Sequence, residues 1–228
     1  DNFIKNQSNE NKINLSSRYT FLKGDLTNKK QLEEIFIKFK PNLILHFAAE
    51  SHVDRSIEDP WNSINSNIIG TYNLLEIVRK NNKKINYGDY SGIRLIHIST
   101  DEVFGTIEYP HRFVETSPYD PRSPYSASKA SSDHLVSAWH HTYGLKTIIT
   151  NCCNNYGPWQ FPEKLIPLSI LKALNNESIP IYGDGKNVRE WIFVEDHISA
   201  LLHIAAYGNI GKRYCIGSSN KITNLELV

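Results

Sequence analysis

Two stretches of this chain, "NLILHFAA" at 42–49 and "IRLIHIST" at 93–100, are rich in apolar residues that do not strictly alternate with polar ones. A strand with one wet face alternates polar and apolar residues, so a run without alternation belongs to a sheet covered on both faces. The segments around them have helical spacing. "NKKQLEEIFIKF" (28–39) reads as an amphipathic helix ending before Pro41, and "PWNSINSNIIGTYNLLEIVRK" (60–80) as a second helix. "RYTFLKGD" (18–25) reads as an earlier strand. Beyond Thr100 come a proline-rich loop to Pro124, a helix of about 18 residues from Tyr125, the strand "KTIITNCC" (146–153) and a helix around "EKLIPLSILKALNN" (163–176). Such alternation implies an α/β fold with a doubly wound, mostly parallel sheet, in which ligands gather outside the carboxyl ends of the strands. Past Asn155 the alternation loosens into short β-like pieces, "IPIYGDG", "VREWIFVEDH" and "RYCIGSS". The expected organisation is a Rossmann-type domain over 1–155 and a smaller substrate lobe over 156–228, intertwined with it.

Composition narrows the class of partner. The 25 basic and 24 acidic residues of the 228 leave a formal charge of +1, too little to draw in nucleic acid or an anionic membrane surface. The densest basic run, "RKNNKK" (79–84), reads as a solvated helix end. Three cysteines, Cys152 and Cys153 adjacent and Cys215 alone, form neither a disulfide framework nor a CxxC pair, which suits a reducing compartment. Nine histidines include no HExxH pair and no spacing with cysteine that resembles a site, so no metal is expected. No run of roughly 18 apolar residues is present to span a membrane. The expectation is a cytoplasmic protein with a small-molecule ligand. The sequence has no methionine, so Asp1 is not a translational start.

Chemistry concentrates where the second apolar run stops. "STDEVFG" (99–105) places adjacent carboxylates, Asp101 and Glu102, at a strand's carboxyl end just after the hydroxyl of Thr100. Further on, in "SPYSASKAS" (123–131), Ser123 can cap a helix with Pro124 at its first position, and Tyr125 and Lys129 follow four apart. Neighbours on a helix face, they make an acid-base pair in principle, because an ammonium beside a phenol favours phenolate. Alone, the YxxxK spacing recurs by chance, and Asp101 and Glu102 could equally cap a turn and sit in solvent.

A Ser-Thr strand end followed by YxxxK resembles the acid-base apparatus of the short-chain dehydrogenase/reductase superfamily. Six ordered blocks resemble its extended, nucleotide-sugar branch along nearly the whole chain: "HFAAESHVDRS", "NIIGTYNLLE", "STDEVFG", "YSASKAS", "NCCNNYGPWQFPEKLIP" and "VREWIFVEDH". Within that branch the chain most resembles the dehydratases that act on dTDP-glucose. The resemblance implies a lyase with tightly held NAD that oxidises sugar C4, eliminates water across C5 and C6 and returns the hydride to C6. It implies Asp101 as acid toward the departing hydroxyl, Glu102 as base at C5, and Tyr125 with Lys129 and Thr100 as the group deprotonating the C4 hydroxyl. Cofactor positions carried over are Asp1 at the adenine ribose, Asp25 and Leu26 beside adenine, Phe47, Ala48, Ala49 and Ser66 along the dinucleotide, Tyr125 and Lys129, and Asn154 near the nicotinamide. Sugar-nucleotide positions are Ser51, Asn155, Leu165, Pro180, Tyr182, Arg189 and Asn224. Arg189 has an independent rationale, since a guanidinium fork grips diphosphate bidentately, although an ion pair with Glu190 or Glu195 would also account for it. A homodimer through the helix at Tyr125 is implied as well.

Three departures stand against the resemblance. The glycine-rich phosphate fingerprint after a first strand is missing, so the sequence is expected to begin about one βαβ crossover late, roughly 30 residues in. The stretch "GTIEYPHRF" (105–113) is short for its loop, and Cys215 stands where asparagine is usual. A UDP-sugar decarboxylase, a 4-epimerase, or a non-catalytic NAD-binding protein on the same scaffold remain alternatives, with Asp101 the discriminating residue.

Overall fold

In the computed structural model, the described residues are 19–82, 92–108, 111–181 and 183–228. Four parallel strands, β1 (Leu43–His46), β2 (Arg94–Thr100), β3 (Lys146–Cys152) and β6 (Arg213–Ile216), form the main sheet in the order β1-β2-β3-β6. Helices cover both faces, which explains the apolar runs without strict alternation. On β2, Leu95 joins a core cluster with Leu32 and Phe36 of α1 (Lys29–Phe39), Leu75 and Val78 of α4 (Gly70–Asn81) and Val136 of α5 (Pro124–Tyr143). The next residue, Ile96, faces the opposite cluster with Ile148, Leu201, Ile204 and Ile216, under α7 (Val194–Tyr207). The doubly wound architecture read from the sequence is therefore the one observed.

A second, smaller sheet is formed by β4 (Asn154–Tyr156), β5 (Val188–Phe193) and β7 (Lys221–Thr223) in the order β4-β5-β7, the first pair parallel and the second antiparallel. The chain enters it from β3, returns to the main sheet for β6, and leaves again. A short α6 (Leu165–Leu174) and a terminal turn, α8 (Asn224–Leu227), flank it.

The helix read at 60–80 is built in three parts: α3 (Pro60–Ser63), a π-helical turn over Ile64–Ile69, and α4. The short α2 (Val53–Glu58) leads into it. Asp59 caps the start and Pro60 occupies the first position. The wide turn has a cause on the neighbouring helix. Asn67 is buried, and its side-chain amide donates to Ser128 Oγ at 2.8 Å while its carbonyl accepts from Ser132 Oγ at 2.6 Å. The two helices are thereby joined by polar groups of α5. On the opposite side Gly70 allows close approach, since a Cβ there would stand 3.0 Å from that of Leu26.

Two readings are corrected. Residues 19–24 form no strand: a strand needs a ladder, no described segment pairs with this one, and Tyr19, Phe21 and Leu22 are exposed. The "IPIYGDG" stretch likewise contributes no strand among its described residues; the chain turns there, with Gly183 and Gly185 at positive φ. The candidates Asp1 and Tyr182 lie outside the described residues.

Candidate active site

β2 ends at Thr100, and the chain turns at once into a 3₁₀ turn over Asp101–Phe104. Thr100 shapes that turn: its hydroxyl accepts from the Glu102 amide at 3.2 Å and donates to Asp101 Oδ1 at 3.2 Å. Gly105 closes it at φ 81, where any side chain would collide with the Asp120 carbonyl. Val103 and Phe104 are buried, so both carboxyl groups are held at the rim. They line a cavity of about 580 Å³ shared with Asn154, Arg189, Cys153 and Cys215.

The environment moves the two acids by different means. Burial, reinforced by the Glu102 charge, pushes Asp101 up to about 6 against the pull of Thr100 and Arg189. Burial also raises Glu102, but there the charges of Arg189 and Lys164 oppose it. Asp101 is thus poised to hold a proton near neutrality, and Glu102 has a second cation, Lys164, besides Arg189.

The α5 side supplies the phenol. Ser123 caps the helix in a reciprocal pair with Ser126, Pro124 sits at the first position, and Gly144 closes the far end at φ 71. Tyr125 is buried in the first turn, its amide donating to Ser56 Oγ at 3.1 Å. Burial drives its hydroxyl well above the ordinary tyrosine value, with the Glu102 charge next, while a hydrogen bond to Thr100 pulls the other way. The charges that bear most on this phenol here are those of Glu102 and Asp101. Lys129 lies on the same stripe of α5, but its ammonium reaches past the ring and donates to the Ile98 carbonyl at 2.8 Å.

Other candidates fall into groups. Phe47, Ala48 and Ala49 follow the carboxyl end of β1, with Phe47 half-exposed, and Ser66 lies in the π-helical turn. Asp25 forms a turn, its Oδ1 accepting from the amide and hydroxyl of Thr27, each at 2.8 Å. The next carbonyl, that of Leu26, accepts from Asn73 at 3.0 Å. Asn155 donates to the Cys153 carbonyl at 3.1 Å, and the Ser51 carbonyl takes the Lys164 ammonium at 3.1 Å. Leu165 opens α6, Asn224 opens α8 and Pro180 lies in the loop before β5; these three do not line the carboxylate cavity. Of the rival partners weighed for Arg189, Glu190 instead stands 3.7 Å from Arg112. A larger apolar cavity of about 690 Å³, lined by Ile166, Ile170, Trp191 and Ile222, contains neither carboxyl group. Sequence reasoning missed Lys164, whose charge reaches Glu102 only because α6 begins beside the cleft; its signal was its place within the "FPEKLIP" block.

The profile of the family described as GDP-mannose 4,6 dehydratase matches residues 2–228. The chain belongs to that family. This family member is 51% identical over 212 residues to the dTDP-glucose 4,6-dehydratase of Neisseria meningitidis serogroup B, covering 92% of the chain and 60% of the relative. It thus spans about three fifths of that relative's length. A solved dTDP-glucose 4,6-dehydratase of Bacillus anthracis in complex with NAD superposes with TM-score 0.82 at 41% identity, covering 99% of the chain and 65% of the solved one. That of Streptomyces venezuelae with NAD bound gives 0.86 at 42%, covering 94% and 63%. Family membership and the Rossmann-type fold agree with the resemblance read from the six blocks.

Proposed function

We propose that this chain carries the catalytic part of a nucleotide-sugar 4,6-dehydratase that converts dTDP-glucose to dTDP-4-keto-6-deoxyglucose. The observation that carries the reading is the acidic pair at the end of β2, both carboxyls lining one cavity with Arg189. A 4-epimerase needs only a reversible oxidation at C4; elimination needs a base at C5 and an acid at C6 together. The names of the relatives and the NAD in the solved neighbours support the same reading.

The residues divide the work as follows. Tyr125, hydrogen-bonded to Thr100, takes the C4 hydroxyl proton, and Lys129 supplies buried positive charge on the same stripe. The 4-ketone so formed acidifies the hydrogen on C5. Glu102 removes that proton, and Asp101 protonates the C6 hydroxyl as it leaves. Arg189, at the opposite wall, holds the diphosphate. When bound, NAD supplies the acceptor and then the donor of the hydride. The structure offers it a fitting surface: small Ala48 and Ala49 beside the half-exposed Phe47 ring at the end of β1, with Ser66 on the neighbouring turn. Asp25, Leu26 and Asn154 complete the dinucleotide contacts, and Ser51, Asn155, Leu165, Pro180 and Asn224 those of the sugar nucleotide.

In this reading residues 1–155 form the NAD-binding domain and 156–228 the main part of the substrate lobe. We place the protein in the cytoplasm as a homodimer. Three free cysteines support a reducing compartment. No described helix is long and apolar enough to cross a membrane. Half-exposed Tyr72 and Tyr143 ring Trp139 on α4 and α5, an aromatic face suited to a second copy. The test is incubation of the full-length protein with dTDP-glucose, UDP-glucose or UDP-glucuronate and NAD. A 4-keto-6-deoxy product from the thymidine sugar is expected; C4 inversion or loss of carbon dioxide from a uronate would replace the reading with an epimerase or a decarboxylase.

A further inference from the structure

The stripe of α5 that carries Tyr125 and Lys129 continues one turn further, to Asp133. Asp133 is completely buried and does not line the cavity, so nothing in the acid-base cycle uses it. Yet three other segments converge on its carboxylate. The Tyr119 hydroxyl donates to Oδ2 at 2.6 Å, Asn151 of β3 donates to the same oxygen at 3.2 Å, and His97 Nε2 of β2 stands 3.2 Å from Oδ1, short of an aligned hydrogen bond. The same Asn151 amide donates to the Thr100 carbonyl at 3.0 Å. A chain of contacts therefore runs from Asp133 to the residue that shapes the carboxylate turn.

Charge assigns the buried pair. Behind His97, at 4.9 Å between ring centroids, lies His46 of β1, whose Nε2 is 3.0 Å from the Thr71 hydroxyl. Both histidines are pushed below their ordinary value, burial first, and so are neutral. From β3 Cys152 faces the lysine, with its thiol pushed up to about 11 by burial, and from β6 the Arg213 guanidinium lies 4.4 Å above the Tyr119 ring. Burial alone would raise Asp133, but the nearby His97 ring, the Lys129 charge and the Tyr119 bond draw it down. Burial pulls Lys129 down, and Asp133 is the strongest influence opposing it. Opposite charges buried near one another, one turn apart on the same helix face, gain little stability over an apolar pair, which favours a role in placement.

We propose that Asp133 is a positioning residue: the buried counter-charge that keeps Lys129 an ammonium and, through Asn151, holds the Thr100 end of β2 in register with Tyr125. It acts through Lys129 and Thr100 and touches no reacting atom. This rests on the dehydratase reading above.

The experiment is a double-mutant cycle on the full-length protein, following reduced nicotinamide after rapid mixing with dTDP-glucose across neutral to alkaline pH. Asp133→Asn removes the buried counter-charge to the lysine, so the oxidation rate is expected to fall roughly 10- to 100-fold, within the range of general acid-base effects. The limb of the pH profile set by Tyr125 is expected to move upward, because its supporting cation is weakened, while KM is unchanged. In a Lys129→Met background the same substitution is expected to lose most of its effect, since the charge it supports is gone and only its hold on Thr100 through Asn151 remains. Additive losses, or an unmoved profile, would overturn the proposal and leave Asp133 a structural residue. Should Asp133→Asn not fold, Tyr119→Phe carries the test: it removes one orienting bond and keeps the charge, and a few-fold loss with the limb displaced in the same direction supports the proposal, whereas an unchanged profile overturns it. A parent protein that yields no 4-keto-6-deoxy sugar would instead sink the dehydratase reading.

Discussion

α5 and α6 both begin beside the cleft, and they are built in opposite ways. α5 buries eight residues, most of them polar: Tyr125, Ser126, Ser128, Lys129, Ala130, Ser132, Asp133 and Val136. α6, "LIPLSILKAL", is far more apolar and buries none. Hydrophobicity therefore does not decide which helix goes inside. The polar face of α5 is tolerable because its groups find partners: Ser128 and Ser132 on the π-helical turn, Lys129 on a strand carbonyl, Asp133 on two donors, Tyr119 and Asn151. Such a network fixes geometry, since each partner restricts the next. The wall proposed as catalytic is thus preorganised, and the one proposed to bind the sugar nucleotide, with exposed Arg189 and α6, is left open.

The contrast predicts that damage on the α5 wall stops chemistry, whereas damage on the opposite wall weakens binding. The largest effect belongs to Tyr125→Phe. Without the hydroxyl nothing takes the C4 proton, and oxidation is expected to fall by about 10⁴, the upper end of acid-base contributions. Single-turnover mixing with dTDP-glucose is expected to leave NAD unreduced. Reduction at the parent rate would remove Tyr125 from the mechanism.

Asp101→Asn comes next, with elimination slowed about 10²- to 10³-fold and reduced cofactor accumulating, because the ketone forms but the C6 hydroxyl lacks its proton. The parent rate is expected to decline as pH rises through about 6, where Asp101 loses that proton. Stability moves in the matching sense. The native carboxyl titrates at about 6 against an ordinary 3.8, so the folded state disfavours the charge. What this group contributes is full below the ordinary value and is lost as pH rises through 6. The Asn variant is therefore expected to melt higher than the parent above pH 6, by an amount of order 1 kcal/mol after solvent screening, and to lose that advantage near pH 4. A thermal melt that ranks them the other way at neutral pH would show the site is not strained.

Much of this wall was legible in the sequence. The β2 end, the Ser123 cap and the Tyr125–Lys129 spacing are local features, each set by residues within a few positions of one another. What was not legible depends on distant partners. The π-helical turn exists because Asn67 meets Ser128 across 61 positions, and Lys164 reaches Glu102 only through the tertiary fold. Residues 18–25 have a strand's composition, but composition cannot supply a ladder. The end point of the Lys129 ammonium was not legible for a similar reason: helical spacing places the Cα atoms, and the Ile98 carbonyl takes the ammonium.

On the open wall, Arg189→Lys is expected to raise KM about tenfold with kcat nearly unchanged, because a point charge replaces a bidentate fork at a group that binds without reacting. Steady-state kinetics decide it. A matching fall in kcat would mean that Arg189 also tunes the acidic pair, whose carboxyls both feel its charge.

The smallest effect tests the comparison itself. Leu174 closes α6 with 75% of its surface exposed. Truncation to Ala removes little buried area, and Ala is at least as good a helix former, so stability is expected to change by no more than about 0.5 kcal/mol. The corresponding change inside the catalytic half, Leu75→Ala at 0% exposure, is expected to lose about 2–5 kcal/mol through transfer and cavity effects. Denaturant melts of both variants of the full-length protein measure the difference. A loss above about 1 kcal/mol at Leu174 lies outside what an exposed surface position gives. It would mean that in the working protein this apolar face is covered, and that the wall described as open is closed by further polypeptide. Arg189 would then be held as rigidly as Tyr125, and its substitution by Lys would lower kcat along with affinity.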